Sequence, residues 1–466
     1  MVRPGIREIT LAIGIGCLLG AGLSLPLGFL LCVIAVLPWA GWFVLKNPFL
    51  LSLGFICFSY FRLHEAFLFL EPFKLPQLLA LGSLTSLAWN VFVAKTLKPS
   101  LQKAHGMLFL FTLWVFVSVM MATSRGLAMG MFTGSFIKIF IMTFAVSWLI
   151  TQPRHLKIAC HAFIFSGVAV ALVAISNKLN GIGLIEGTRV TISREMGSQI
   201  GDPNDLSLVL MFPVSFAAAY LFAYGKSMKM RLFYLIALGL LAWAVVATQS
   251  RGGLLGLCTV VGYCANQRIK NKALLISIGA VALSILLVLA GISDRKSGGA
   301  AEEGIDESAM GRIYAWQAAW GMALANPFTG VGLDNFYENY YFYSPHWDGK
   351  NHAVHSTWFQ VLAETGFVGL ILFVSLIVVM VKVIRRCSLL VEAGSTERVM
   401  LTALGAGVAG FVVAGTFLTQ GFTWPLYILL GLTLALAWQL QQRQQAAQKT
   451  QLEGPNVHLD STSKAV

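Results

Sequence analysis

Apolar segments long enough to cross a lipid bilayer follow one another from the N-terminus of this chain to about residue 440. A helix needs about 20 mostly apolar residues to span the hydrocarbon core. Of the 466 residues, 57% are hydrophobic and only 11% are charged, which lies far outside the range of soluble domains. The sequence therefore predicts an all-α polytopic membrane protein with one integral domain over residues 1–440, whose first helix is not a removable signal peptide.

Fourteen transmembrane segments are predicted, or twelve if the hairpins beside the first or the tenth segment enter the membrane only partway. Their approximate bounds are 8–24, 26–44, 48–64, 74–94, 107–123, 128–150, 156–176, 204–224, 232–248, 252–265, 273–292, 356–382, 399–418 and 423–440. The remaining residues, 441–466, are polar and rich in glutamine, which predicts a cytoplasmic tail without a fold of its own.

The distribution of basic residues predicts the orientation of these segments. Most of the 33 lysines and arginines fall in alternate short loops, and that set of loops is expected in the cytoplasm together with both chain ends. The two long loops, 177–203 and 293–355, then face the outer, extracytoplasmic side. Because the net charge of +13 is dispersed in this topological pattern, no nucleic-acid partner is predicted.

The outer loops keep several arginines against this trend. Arg189, Arg194 and Arg312 lie in the two long loops, and Arg251 lies in a tight outer turn. An arginine side chain stays charged and binds phosphate oxygens through two parallel hydrogen bonds, so an anionic ligand such as a diphosphate is the simplest explanation. The alternative for Arg189 and Arg312, taken singly, is that they anchor helix ends at the membrane interface.

The large loop 293–355 is predicted to contain short helical structure. Apolar residues recur at helical spacing over 310–325, which predicts a helix that lies on the membrane surface. An aromatic cluster follows it, and its members are Tyr337, Tyr340, Tyr341, Phe342, Tyr343 and Trp347. Such a cluster either anchors the loop at the membrane interface or stacks on sugar rings.

The loop ends where His352, His355, Ser356 and Glu364 meet the start of an apolar helix. A histidine at such a boundary titrates near neutral pH, and His355 is a candidate proton acceptor. The alternative is a polar helix start that Ser356 or His355 caps. His352 and His355 also have the spacing of a metal-binding pair, but no third ligand is placed nearby, so no metal or other cofactor is predicted.

Residues 355–369 resemble the signature of the bacterial O-antigen ligase and polymerase family. Its pattern is His, then Asn, Ser or Gln, nine residues, Gly, two residues, and Gly, Thr or Tyr; here His355, Ser356, Gly366 and Gly369 fill every position. The runs 250–253 (SRGG) and 326–336 (NPFTGVGLDNF) look like two further elements of this family. The run 201–206 (GDPNDL) is similar to a subgroup described as O-glycosylation ligases associated with exosortase systems.

This resemblance implies a membrane-embedded glycosyltransferase of the GT-C type in the bacterial inner membrane, which acts without a metal and inverts the anomeric configuration. It would transfer a glycan from undecaprenyl diphosphate to an acceptor hydroxyl at the periplasmic face. The acceptor would be lipid A core, with a growing glycan or a protein hydroxyl as alternatives. By motif match His355 would be the catalytic residue and Arg251 a diphosphate contact.

The other family arginine would be Arg194 or Arg189, with Arg312 and His352 as further substrate-binding candidates. A hypothesis of another class is a transporter or flippase whose outer arginines bind an anionic lipid-linked substrate. Transporters usually show repeated halves and polar sites at the membrane midplane, whereas the polar residues here gather at one face.

Overall fold

The computed structural model describes residues 28–290, 307–347 and 349–452. Within these ranges the chain forms helices and irregular connections, with a single antiparallel bridge between Ile185 and Arg189 as its only extended pairing. The predicted first span 8–24, the segment 291–306 of the large loop and the last part of the tail lie outside the described residues.

Fifteen main helices are described, and they are numbered here in chain order. They are α1 Gly28–Lys46, α2 Pro48–Tyr60, α3 Leu75–Ala88, α4 Lys103–Met120, α5 Arg125–Leu149, α6 Pro153–Asn180, α7 Pro203–Phe222, α8 Met228–Ala247, α9 Arg251–Ala265, α10 Lys272–Leu289, α11 Glu307–Ala325, α12 Phe336–Tyr343, α13 Thr357–Ser388, α14 Thr396–Ala414 and α15 Trp424–Leu452. A π-helical turn extends α3 to Val93, and another lies within α5.

The predicted all-α polytopic membrane fold is confirmed. Among the described residues ten helices are long and apolar enough to cross a membrane, and each coincides with a predicted span. The predicted spans 26–44 and 48–64 form a pair bent by 92° and count as one further span at most. The bend falls at Asn47, because a residue that precedes a proline disfavours the helical conformation.

Two predicted segments differ from their expected extents. The segment 252–265 forms α9, which has 15 residues and is therefore only about 22 Å long, shorter than a hydrocarbon core of about 30 Å. At the other extreme, α15 continues to Leu452, into the region 441–466 for which no fold was predicted. Residues 441–452 lack glycine and proline and are rich in glutamine and alanine, which favour helix.

The centre of the bundle is α7, which packs against α6, α8, α9 and α14. Glycines permit these close approaches. A Cβ atom at Gly167 of α6 would lie 2.2 Å from Cγ of Pro213, and one at Gly253 of α9 would lie 2.5 Å from Oγ of Ser207. Small residues at helix contacts are typical of membrane bundles, where close packing replaces the hydrophobic effect as the main attraction between helices.

Polar contacts gather at the two ends of the bundle. At one end Gln102 donates to the Leu434 carbonyl (2.9 Å) and Arg443 pairs with Glu397 (2.8 Å). At the opposite end Thr188 donates to the Gln249 side chain. We call these the inner and the outer end, after the predicted orientation.

The described part of the large loop forms a small layer on the outer end. There α11 and α12 pack on each other and on the start of α13 around a second hydrophobic cluster that includes Ala319, Met322 and Phe336. The predicted helix 310–325 is therefore present as α11. Its small side chains face the protein, whereas Trp320 and Leu324 remain exposed.

Candidate active site

The candidate active site begins at the junction between the large loop and α13. His355 has a φ of 45°, in the left-handed region that costs a non-glycine residue about 1–3 kcal/mol. Ser356 is the helix cap, because its Oγ accepts from the Phe359 N–H (3.5 Å). Thr357 donates to the Leu418 carbonyl (2.7 Å), which fixes the helix start against the connection between α14 and α15. Capping therefore does not use the His355 imidazole.

The surroundings of His355 favour its neutral form. The ring is half-buried, and this burial is the main cause that lowers its pKa below the usual value. The positive charge of Arg312 lowers the pKa further, the Asp202 carboxylate opposes this effect, and His352 and Arg189 lower it again. The structure thus brings Arg189 and Arg312, which are distant in sequence, within electrostatic range of His355 and its neighbour His352.

Arg189 is buried and held in a defined position. Its Nε donates to the Thr248 carbonyl (3.2 Å) and its Nη2 donates to the Asn204 side chain (3.1 Å), while Glu186 forms an ion pair at 3.8 Å. The backbone beside it pairs with the end of α8. These contacts join the loop 177–203 to the turn that precedes Arg251.

Arg251 is the first residue of α9 and is partly buried. Ser250 caps this helix by accepting from the Gly253 N–H (3.2 Å). A Cβ atom at Gly252 would lie 3.0 Å from Cβ of Phe417, so the two glycines let the helix start pack against α7 and the end of α14. The connection after α14 also receives Thr357, and it therefore lies between the helix starts that carry Arg251 and His355.

Two further candidates differ in their placement. The ring of His352 packs edge-on against Tyr340 of α12, with centroids 5.3 Å apart. Arg194 is exposed and its Nη1 donates to the Gly201 carbonyl (3.3 Å) on its own loop. Of the two arginines that the motif left open, the one that lies beside His355 is Arg189.

The signature glycines break α13. At Gly366 the backbone has a φ of 69°, which interrupts the helix that the sequence predicted as continuous over 356–382. The carbonyls freed by the break find other donors. Val331 N–H donates to Ala363, and the Trp114 indole donates to Thr365. The Phe367 N–H donates in turn to the Pro327 carbonyl (2.9 Å).

The second family element, 326–336, fits into this break. A Cβ atom at Gly330 would lie 2.3 Å from the Ala363 carbonyl oxygen, and one at Gly366 would lie 2.2 Å from that of Phe328. Both glycines also have positive φ. The two motifs are therefore halves of one packed unit that holds the start of α13, and with it His355, in place.

Some residues near the site were not assigned a role from sequence. Asp202 caps α7 by accepting from the N–H groups of Asn204 (2.8 Å) and Asp205 (3.3 Å), and it is the one carboxylate among the charges acting on His355. Gln420 donates to the Asp205 side chain (2.6 Å). An aspartate followed by proline at a helix start is an N-cap signal that the sequence offered.

Glu364 is a further such residue. Its buried carboxylate lies near the backbone of Asp334 and Phe336. It is therefore close to the start of α12, whose Tyr340 contacts His352. Among the described residues no group of three or more histidine, cysteine, aspartate or glutamate side chains is placed to hold a metal ion.

A comparison with protein families supports this assignment of motifs. Residues 236–374 match the family model described as O-antigen ligase. No curated protein matches the chain. The matched segment contains Arg251, Arg312, His352, His355 and both signature glycines, whereas Arg189 precedes it. The match supports a glycosyl-transfer role in O-antigen processing. It also confirms the resemblance predicted from the motifs: the chain is a multi-pass membrane protein whose residues 236–374 are similar to the O-antigen ligase family.

Proposed function

We propose that the protein transfers a glycan from undecaprenyl diphosphate to an acceptor hydroxyl at the outer end of the bundle, with lipid A core as the acceptor. In this proposal the outer end faces the periplasm and the chain lies in the bacterial inner membrane. The observation that carries the proposal is the position of His355 at the start of α13, in the left-handed conformation and within electrostatic range of Arg312, His352 and Arg189. A base beside several cations is the arrangement that attack on a diphosphate-linked sugar requires.

The proposed reaction is a single displacement. His355 accepts the proton of the acceptor hydroxyl while the hydroxyl oxygen attacks the anomeric carbon, and the bond from that carbon to the diphosphate oxygen breaks. Undecaprenyl diphosphate leaves with the bonding electrons. Attack on the face opposite the leaving group inverts the anomeric configuration.

In this proposal the arginines stabilise the diphosphate leaving group. A guanidinium binds two phosphate oxygens at once and keeps its charge at any working pH, so Arg189, Arg251 and Arg312 would balance the charge that develops on the diphosphate. The reaction would then proceed without a divalent metal ion. Burial, together with the charges of Arg312 and Arg189, lowers the pKa of His355 and so favours its neutral form before it accepts the proton.

The test is transfer by purified protein. Undecaprenyl-diphosphate glycan and lipid A core are supplied with a chelator and without nucleotide, and product is followed on gels. His355→Ala is expected to abolish transfer while the protein still inserts and purifies. His346→Ala, which removes an exposed histidine of the same loop, serves as the matched control. Near-normal transfer by the His355→Ala protein would rule out the base role.

The acceptor has an alternative that the residues 201–206 favour, because they are similar to the exosortase-associated subgroup. Offering lipid A core, a second lipid-linked glycan and a serine-containing peptide in parallel distinguishes ligase, polymerase and protein O-glycosylation ligase. A flippase is the competing proposal of another class. It would move the lipid-linked glycan across vesicle membranes without forming any product.

A further inference from the structure

A cavity with a partly polar lining lies at the inner end, on the side of the bundle opposite His355. It has a volume of about 190 Å³, many times what one water molecule needs. The end of α7, the connection after α9 and the start of α14 enclose it. Its polar lining comes from Tyr224, Gln267, Arg398 and Thr402.

Three cationic side chains line or adjoin this cavity, and each has N–H groups that remain available to donate hydrogen bonds. Arg398 lines it and donates through Nη1 to the Ser388 carbonyl, and among the described residues its Nε and Nη2 have no hydrogen-bond partner. Lys226 donates one long hydrogen bond to Gly394 (3.5 Å), a residue of the cavity wall. Arg268 stacks on the Tyr224 ring at 3.7 Å and uses Nε and Nη2 on backbone carbonyls, which leaves its Nη1.

The charge around the cavity is strongly unbalanced. The three connections 224–231, 266–272 and 382–398 carry ten lysines and arginines against two glutamates, Glu392 and Glu397. Glu397 is already paired with Arg443. The N-terminal end of α14 also adds positive partial charge at the wall of the cavity. Such an arrangement of spare donors and excess positive charge attracts an anion with several acceptor oxygens.

We propose that this cavity binds a phosphate group, carried either by an anionic phospholipid headgroup or by a soluble phosphoryl compound. The remaining lining favours the lipid. Ala219, Phe222 and Val399 lie in the last turn of α7 and the first turn of α14, so the cavity reaches from the charged surface into the apolar band. Basic pockets between membrane helices on the cytoplasmic side bind anionic headgroups in this way. The proposal is independent of the transferase reaction.

The experiment measures lipid binding, not glycan transfer. Delipidated protein in detergent is titrated with phosphatidylglycerol or with phosphatidylcholine, and bound lipid is counted by native mass spectrometry. A separate arm measures the thermal unfolding temperature with inorganic phosphate alone, because a ligand of the native state raises that temperature. The wild-type protein is expected to bind phosphatidylglycerol at least about tenfold more tightly than phosphatidylcholine.

Two variants and one control decide the outcome. Arg398→Gln removes the lining cation, and Ala393→Trp fills the cavity from an exposed loop position without touching a charge. Both are expected to lose the preference for phosphatidylglycerol. Lys270→Gln removes the same charge from an exposed inner position outside the lining and is expected to retain it.

The two sources of phosphate give different results. If inorganic phosphate alone stabilises the wild-type protein but not Arg398→Gln, the phosphate group comes from a soluble compound. If only phosphatidylglycerol acts, it comes from a lipid. The proposal is overturned if neither ligand distinguishes the wild-type protein from both variants.

Discussion

At the scale of single residues, the candidate site depends on charged groups that shift the pKa of the His355 imidazole. His355 occupies a strained conformation, it lies among Arg312, Arg189 and His352, and one carboxylate, Asp202, opposes their effect. In the proposed reaction the base must be neutral to accept a proton, so the lowered pKa of His355 would extend the active range toward acid. Strained backbone conformations persist where the surrounding structure enforces them, and the packing around Ser356 and Thr357 does so here.

The pH dependence of transfer should therefore respond to the charges around His355 with predictable sign. The acid limb of the rate profile is expected below the usual histidine pKa of about 6.5. Arg312→Gln removes a positive charge, which raises the pKa of His355 and moves the acid limb to higher pH. Asp202→Asn removes the opposing negative charge and moves the limb to lower pH, while an asparagine still caps α7. Initial rates between pH 4.5 and 8 measure both shifts, and unchanged profiles in both variants would contradict the electrostatic account.

Arg251→Lys tests whether the side chain at the start of α9 acts through geometry or only through charge. A lysine keeps the positive charge but cannot form two parallel hydrogen bonds with phosphate oxygens. Transfer is expected to fall at least about tenfold, since a hydrogen bond to a charged group contributes about 1.5–3 kcal/mol. Arg194→Lys, at the exposed arginine of the loop 177–203, is the comparison and should retain activity. Full activity of Arg251→Lys would indicate simple interfacial anchoring.

At the scale of helices and motifs, residues 326–336 and the signature residues 355–369 pack together as one unit. The break at Gly366 frees backbone groups of α13, and the segment 326–336 supplies several of their partners. The spacing of glycines in the pattern thus corresponds to close backbone contacts, and His355, eleven residues before the break, gains its fixed position from them.

Gly366→Ala is expected to destabilise the protein strongly. The backbone conformation of Gly366 (φ 69°, ψ −174°) is one that essentially only glycine adopts, and the added Cβ would lie 2.2 Å from the Phe328 carbonyl oxygen. We expect a total loss of about 2 kcal/mol or more, measured as a lower unfolding temperature in detergent together with reduced transfer. Gly279→Ala in the middle of α10, where no atom lies within 4 Å, is the matched control and should be neutral or slightly stabilising. Equal behaviour of the two variants would contradict the packing argument.

At the scale of the whole molecule, the helices separate two polar ends with different chemistry. The outer end carries the candidate active site, and the inner end carries most of the dispersed basic residues and the proposed phosphate cavity. This separation agrees with the predicted orientation, since cytoplasmic loops of membrane proteins are enriched in lysine and arginine.

Cysteine labelling in intact cells tests this orientation. Tyr337→Cys places a thiol on the exposed surface of α12 at the outer end, and Lys270→Cys places one on an exposed inner connection. A membrane-impermeant thiol reagent that enters only the periplasm is expected to label the first and not the second. After lysis both should react, which controls for accessibility. The reverse pattern would require the opposite orientation and would place the candidate site in the cytoplasm.

The sequence by itself determined the class of fold, because spans of about 20 apolar residues leave few alternatives in a bilayer. It also located the family motifs and His355, whose chemistry depends on residue type and local spacing. The break at Gly366 and the hydrogen-bond partners that hold Arg189 were decided by the tertiary structure. Each of these depends on which distant segment supplies a hydrogen-bond partner or a charge, and contacts between residues far apart in the chain leave no periodic signal in the sequence.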